Sequence, residues 1–576
     1  MMFLRTTAAI VMTSLLGVVT AQSEQNVLIV IADDLGVDHV LSYGEGTAPP
    51  NTATIDTIAA RGVLFRNAWA YPLCSPARAC FNTGRYSYRT GVGHPAGALM
   101  PLTEITLPQR LDAVNSGYAH AWIGKWHLGG RSRSHPNNAG WSHFAGLIGG
   151  SVADYYNWSR TVNGQTANST TYTTTQMVDD AIAWIQVQNQ PWVCVLAFNA
   201  PHDPFHAPPP GLHSQNLAGQ NPSTNPAPFY KAAVEALDTE LGRLFTTMGP
   251  TLTNTNVVFF GDNGTPRRAT EPPFIRGNSK GTAYEGGINV PFVVAGPAVN
   301  GGGREEAGLV SVVDLFATIG DLVGHDLRPP FVKVDSVSIA PYLANPQQPP
   351  IRSTLYGEIF NNGSDPMTNG FATTRGADYK LIRNYSATGN TTEEFYHLPS
   401  DPFEQTNLMS RGLTAAEQAR RDVLAAEIDE VRSSTGGTQL FGAASCVGSN
   451  GPPAISSTGT PRLGQSYRIN LANGASSGLA TLTIGGSNES VGGAPLPFPL
   501  QVIGAGPGCM LYTSMELTVP ATTDPGGRAG VTIPLPVNSL LLGGSIYHTW
   551  LAIDPGAPQN PLSIVTTQGL EAVPGG

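Results

Sequence analysis

The chain has 576 residues, of which 41% are hydrophobic and 12% charged, and Gly (66) with Pro (47) makes up roughly a fifth of it. That length exceeds one compact folding unit, and the apolar fraction supports buried cores joined by many ordered turns. A net charge of −10 disfavours general nucleic-acid binding, so an anion site here needs a local positive pocket.

The first 25 residues, MMFLRTTAAIVMTSLLGVVTAQSEQ, combine Arg5, an apolar run from Ala8 to Val19 and small residues before Gln22. This is the build of a secretory signal peptide, residues 1–21, cleaved after Ala21. The run is shorter than the ~20 residues a membrane span needs, and no later segment is apolar over that length. The mature protein is therefore expected to be exported, periplasmic or secreted, with no membrane span. Of the five cysteines, Cys446 and Cys509 share one C-terminal region and can pair in an oxidising compartment. Cys194 reads as a core residue of a strand and Cys80 as an interior-facing neighbour of Cys74, and no spacing resembles a zinc site.

Along the chain, short apolar runs each end in a polar cluster. NVLIVIA (26–32) runs into Asp33 and Asp34, and HAWIG (120–124) into Lys125 and His127. WVCVLAF (192–198) leads to NAPHDPFH with His202, and NVVFF (256–260) to GDNG with Asp262 and Asn263. Continuous rather than alternating apolar runs indicate strands buried on both faces of a parallel sheet covered by helices. The clearest helix lies in PFYKAAVEALDTELGRLFTTM, where Tyr230, Ala233, Val234, Leu237, Leu241, Leu244 and Phe245 form one stripe. Alternating strands and helices predict an α/β domain. In such sheets the ligand crevice lies beyond the carboxyl ends of the strands. All four clusters sit at those ends, so residues far apart in sequence are expected to converge.

Asp33, Asp34, Asp262 and Asn263 offer three carboxylates and an amide oxygen, a donor set suited to a hard divalent cation such as Ca²⁺ or Mg²⁺. Lys125, His127, His202 and Lys280, with Arg78 and Arg85, supply positive charge and hydrogen-bond donors. GKWHLGG places Lys125 and His127 two apart on a segment expected to be extended, so both project to one side. Lys280 opens the Gly-rich KGTAYEGGINVPF, which suits close approach to a ligand. A cation with several fixed positive groups suits transfer of sulfuryl or phosphoryl groups. In CSPARACFNTGR, Pro76 is expected at the first helical position. The N-terminus of that helix then points its free N–H groups at residue 74, which marks Cys74 as the nucleophile.

These residues resemble the type I sulfatases, members of the alkaline-phosphatase-like superfamily. Their signature, Cys-x-Pro-x-Arg followed by four residues and Thr-Gly, is matched by Cys74, Pro76, Arg78, Thr83 and Gly84, with Ala77 where Ser is commoner. ADDLG (32–36), GKWHLGG (124–130), APHDPF (200–205), GDNG (261–264), KGTAYEGGINVPF (280–292), DYKLIRN (378–384) and EEFYHLPSDPFEQTNL (393–408) extend the likeness over about 25–435. The resemblance implies that a maturase, the formylglycine-generating enzyme or its equivalent, converts Cys74 to formylglycine. The hydrate of that aldehyde presents oxygen to the metal in place of sulfur, which removes the mismatch with a hard cation. It further implies that Asp33, Asp34, Asp262, Asn263 and modified Cys74 hold Ca²⁺ (Mg²⁺ being the other candidate). Arg78 and Lys125 steady the diol and sulfate, His127 assists the proton loss that frees sulfate, and Lys280 and His202 bind sulfate oxygens and protonate the leaving alcohol.

The fold expected from these observations is an α/β catalytic domain over 22–330 with a mostly parallel central sheet, followed by a smaller α+β subdomain over 331–435. At about residue 435 the composition shifts towards Gly, Pro, Ser and Thr, read as a linker over 436–450 and an all-β accessory domain over 451–576. The leading function is a secreted sulfuric-ester hydrolase of arylsulfatase type, acting on sulfate esters that include sulfated polysaccharides. A phosphonate monoester or phosphodiester hydrolase of the same superfamily, and a catalytically silent binding protein, are the alternatives.

Overall fold

The computed structural model describes residues 24–330, 332–362, 369–432, 437–442, 446–558 and 560–575, so the expected signal peptide lies outside the described residues. Ten strands build the central sheet: β1 (Asn26–Asp33), β2 (Val63–Trp69), β3 (Ala119–Lys125), β4 (His143–Leu147), β5 (Trp158–Val162), β6 (Gln165–Ser169), β7 (Trp192–Pro201), β8 (Thr255–Gly261), β9 (Phe292–Ala295) and β10 (Arg304–Ser311). Their order is β10-β2-β9-β8-β1-β7-β3-β4-β5-β6. The four apolar runs of the sequence are the contiguous central strands β8, β1, β7 and β3, all mutually parallel. Their carboxyl ends therefore open on one edge. β9 and the hairpin β5–β6 run antiparallel to their neighbours.

Both faces of these strands are buried, which is why their sequences do not alternate. Val27, Ile29 and Ile31 of β1 enter one core, shared with the helices Cys74–Thr83 and Leu315–Val323. Leu28, Val30 and Ala32 enter the other, shared with the helices Ala53–Arg61, Thr173–Gln186 and Ala227–Met248. Full burial of each such aliphatic side chain contributes about 2 kcal/mol. The long helix lays Tyr230, Val234, Leu237, Leu241 and Leu244, all fully buried, against this second core.

A four-stranded antiparallel sheet follows: β11 (Leu355–Phe360), β12 (Gly370–Arg375), β13 (Tyr379–Tyr385) and β14 (Thr391–His397). The helix Ala415–Val431 packs Leu424, Ala425, Ile428 and Val431 into the same core as Ala372 and Leu381, with a Thr414–Glu417 capping box at its start. The C-terminal region is all β, with sheets that include Ser466–Ala472, Leu479–Gly485 and Ile546–Ile553 around a separate core of Ile469, Leu482, Trp550 and Val565. Cys446 and Cys509 form a disulfide there. The stretch read as a linker is partly structured, since Gly437–Phe441 pairs antiparallel with Gly569–Val573. Its residues are largely exposed, as in a linker, and the strand is held by its backbone pairing together with a few side-chain contacts such as Phe441 against Tyr512 and Tyr547. Among the described residues no helix is long and apolar enough to cross a membrane.

Candidate active site

The carboxyl edge of β8-β1-β7-β3 brings the sequence-selected residues together. β1 ends in Asp33, and Asp34 turns away with a φ of 70°, a conformation that Asp tolerates better than most side chains. This turn lets the Asp34 N–H donate to Asp262 Oδ1 at 3.1 Å, just beyond β8. Asn263 donates from Nδ2 to Asp34 Oδ1 at 2.8 Å. Lys125, the last residue of β3, donates from Nζ to Asp33 Oδ2 at 2.6 Å, and Lys280 Nζ reaches Asp34 Oδ2 at 2.6 Å. His202 lies just past β7, with Nε2 3.7 Å from Asp34 Oδ2.

Cys74 opens the helix Cys74–Thr83 and aims its Sγ at the same point, 3.2 Å from His127 Nδ1. One turn along, Arg78 donates from Nε and Nη2 to Asp262 Oδ2 at 3.1 and 2.7 Å and from Nη1 to the Lys125 carbonyl at 2.7 Å. These bonds lock the helix that Cys74 opens to β3 and to the turn after β8 at once. Pro76 is the third helical residue, not the first as expected, because the helix starts at Cys74 itself. The position still carries no cost, since the first four N–H groups of a helix have no intrahelical partner. His127 also departs from expectation. β3 stops at Lys125, and His127 adopts a left-handed φ of 57°, so backbone reversal and not strand alternation brings it to Cys74. Arg85 does not join the site. It is buried with Nε 3.2 Å from Glu104 and donates to the Lys333 carbonyl.

The donor set fits a hard cation. Oxygens of Asp33 and Asp262 lie with Cys74 Sγ within 4.8 Å of one another, and Asp33 and Asp34 lie equally close to a His202 nitrogen. Among the described residues Asp33 Oδ1, 3.7 Å from Arg78 Nη2, and Asn263 Oδ1 are buried acceptors with no hydrogen-bond partner. Uncompensated buried acceptors are costly, and a cation bound between them would satisfy both. Sulfur is the discordant member of this oxygen-rich set.

The electrostatics separate the groups. Burial pushes the Asp33 carboxyl up to about 6 against the pull of Lys125. Burial acts on Asp34 in the same sense, but Lys280 and His202 overcome it and hold this carboxyl below the usual range. Burial raises the Cys74 thiol, with Lys125 opposing, so it is a poor thiolate. Burial, with Lys125 and Arg78 nearby, lowers His127 to about 2, which leaves its imidazole neutral. Burial works against the cationic form of His202, yet Asp34 and Asp33 raise it above its ordinary value. An open cavity of about 320 Å³ exposes this centre, lined by Leu73, Cys74, Pro95, Ala96, His127, Gly150, Ser151, His202 and Lys280.

Four further residues shape the site without having been singled out for it. Ser75 donates from Oγ to the His127 carbonyl at 2.8 Å. Gly150 faces the His127 ring so closely that a Cβ there would lie 2.2 Å from Cε1. Tyr155 donates to the Asn199 and His202 carbonyls, and Tyr230, read only as core, donates to the Asp34 carbonyl at 2.6 Å. Gly150 had a partial signal in the Gly pair of IGGS, which follows HFAGL (143–147); only the structure shows that HFAGL is β4 beside β3 and that the pair lies at the same carboxyl edge. The tyrosines had none, because a Tyr on a helical or loop apolar stripe reads as packing.

Comparison with known proteins agrees with this geometry. Residues 25–325 match the sulfatase family model, and residues 278–433 match the model for the N-sulphoglucosamine sulphohydrolase C-terminal region. The chain belongs to the sulfatase family, and it is a sulfuric ester hydrolase. It is similar to N-acetylgalactosamine-6-sulfatase of Sus scrofa, 31% identical over 368 residues that cover 57% of this chain and 67% of the relative. It also resembles arylsulfatase J of Mus musculus, 28% identical over 52% of each chain. Among solved structures, a protein in complex with its substrate D-glucosamine-2-N,6-O-disulfate shares the fold with a TM-score of 0.58 and 20% identity, over 71% of this chain and 98% of that one. A sulfatase from Pseudoalteromonas sp. does so with a TM-score of 0.57 and 21% identity, over 71% and 91%.

Proposed function

We propose that this sulfatase is exported and cleaves sulfate esters of carbohydrates, using formylglycine made from Cys74 and a Ca²⁺ held by Asp33, Asp34, Asp262, Asn263 and the modified residue. The observation that carries this reading is the placement of Cys74 at a helix N-terminus against the carboxylates of Asp33 and Asp262, where Asp33 Oδ1 and Asn263 Oδ1 are buried acceptors without a hydrogen-bond partner among the described residues. Bound there, the cation supplies Lewis-acid polarisation, and the oxidised side chain supplies hydroxyl oxygens where the gene encodes sulfur.

The chain's own groups divide the remaining work. Lys125 and Arg78 neutralise Asp33 and Asp262, so the site can accept an anion on top of its carboxylates. His127 is neutral, with Nδ1 directed at residue 74, and takes a proton from that residue's hydroxyl. Lys280, on the cavity wall, holds a sulfate oxygen. His202, whose protonated form Asp34 favours, gives its proton to the leaving alcohol oxygen. The cavity is open to solvent, which leaves room for a sugar beyond the ester. Carbohydrate substrates are supported by the names of the similar proteins, and export by the Cys446–Cys509 disulfide.

Co-expression with a formylglycine-generating maturase, peptide mass measurement and turnover of nitrophenyl sulfate test the reading together. The expected result is an aldehyde mass at position 74, release of sulfate from sulfated glycans, and preference for the sulfate over phosphate and phosphonate esters. Only unmodified thiol in active protein, or preference for a phosphonate monoester or phosphodiester, would overturn it.

A further inference from the structure

A second cluster of buried charge lies behind the Lys280 loop. Glu285 follows Lys280 by five residues and opens the short helix Glu285–Ile288. Its carboxylate accepts from Trp69 Nε1 at 3.1 Å, Lys380 Nζ at 3.0 Å and Arg375 Nη1 at 2.9 Å. Its backbone N–H donates to Glu404 Oε2 at 2.5 Å, and Lys380 Nζ lies 2.8 Å from Glu404 Oε1. Lys380 Nζ also stands 4.9 Å from the centre of the Trp69 ring, a cation–π distance. All five side chains are buried. Trp69 closes β2 of the central sheet, whereas Arg375 and Lys380 belong to β12 and β13. Glu404 follows β14 with a φ of 54°, rare for a residue with a side chain and sustained only by its surroundings.

The other end of the same segment touches the catalytic centre. The Lys280 N–H donates to the Thr265 carbonyl at 3.1 Å, the Gly281 N–H to the Pro72 carbonyl at 2.9 Å, and the Gly264 N–H to the Gly287 carbonyl at 2.9 Å. Segment 280–287 is thus pinned to the approach to Cys74 and to the GDNG turn on one side, and to the charge cluster on the other. A lysine is a point charge on a flexible stem, so its position depends on a fixed backbone beneath it. Buried ion pairs are weak devices for stability, because desolvation offsets the Coulombic gain. A cluster of four buried ionisable groups at this place therefore serves geometry better than it serves stability.

We infer that Glu285, Lys380, Arg375 and Glu404 are positioning residues for Lys280, through which the four-stranded C-terminal sheet sets the affinity of the active site for the sulfate group. The inference rests on Lys280 being a sulfate-binding group in the proposed function.

Calorimetric binding of inorganic sulfate to the full-length chain tests it without needing turnover. Lys280→Ala is expected to weaken sulfate about 10-fold, the effect of one charge-assisted hydrogen bond. Lys380→Met should weaken it several-fold in protein that remains folded, and Lys280→Ala/Lys380→Met should bind no more weakly than Lys280→Ala alone, since both act through one ammonium. Glu404→Gln, nearly isosteric, serves in the same cycle if Lys380→Met does not fold. Losses that multiply in the double variant, or an unchanged sulfate affinity with only a lowered thermal midpoint, would overturn the inference and leave the function standing. An unchanged affinity in Lys280→Ala would remove the role of Lys280 and with it the inference.

Discussion

Cys74 is the residue whose chemistry least matches its neighbours: a buried thiol, pushed towards its neutral form, beside the carboxylates of Asp33 and Asp262. Cys74→Ser is expected to leave the fold intact and lower steady-state turnover at least about 10³-fold, because one hydroxyl cannot do the work of two on a carbon. Sulfate release by purified variant and parent, with peptide masses for both, checks this. Gly150→Ala would place a methyl group 2.2 Å from the His127 ring and should cut kcat more than about 10-fold while leaving the thermal midpoint within a few degrees. Equal loss in stability and activity would speak against a role through His127. Far from the site, burial lowers His548 to about 3 from an ordinary 6.5, with its Nε2 2.8 Å from the Tyr467 hydroxyl. Between those values the unfolded chain binds the extra proton, so the stability of the C-terminal region is complete above pH 6.5 and declines on acidification, by about 2 kcal/mol at pH 5. A His548→Asn variant should lose that acid sensitivity in calorimetric scans, and an unchanged slope would refute the assignment.

At the scale of elements, the site exists because four neighbouring parallel strands stop on one line. That much was legible: continuous apolar runs mark strands with two buried faces, and the polar residue after each run marks where the strand leaves the core. β10 was not legible, because REEAGLVS, an edge strand, opens with three consecutive charged residues. Neither were β4–β6, since HFAGL, WSRTV and QTANS are each only five residues long and lack a sustained apolar run. The way His127 reaches the site was misjudged for a related reason, as a left-handed φ leaves no mark on a His in sequence. Gly124 shows how tightly the elements are set. It precedes Lys125 with a φ of 106°, and a Cβ there would lie 1.9 Å from the Ala197 carbonyl oxygen of β7. Gly124→Ala should prise β3 from β7 and displace Lys125, costing about 2 kcal/mol or more in denaturant unfolding together with most of the activity.

For the molecule as a whole, a cation bound only by the folded state couples the site to global stability. Removing it with a chelator should abolish sulfate release and lower the unfolding midpoint, by about 3 kcal/mol equivalent if it was present at a hundredfold excess over Kd, and Ca²⁺ should restore both. The C-terminal region has its own core and disulfide, closing 63 residues of chain. Cys446→Ala/Cys509→Ala is expected to destabilise that region by about 4 kcal/mol while leaving nitrophenyl sulfate turnover within about twofold. A large activity loss would show that its fold is coupled to the catalytic centre.

From the order of residues alone came the cores, the strands that carry the site and the chemical character of its groups, because apolar periodicity and donor type are local properties. Which atoms meet was decided only by the folded chain. The distances between Asp33, Cys74 and Asp262, the reversal at His127, the exclusion of Arg85 and the buried cluster around Glu285 depend on pairings between segments separated in sequence, and such pairings are set by the packing of whole sheets, to which no single stretch of sequence has access.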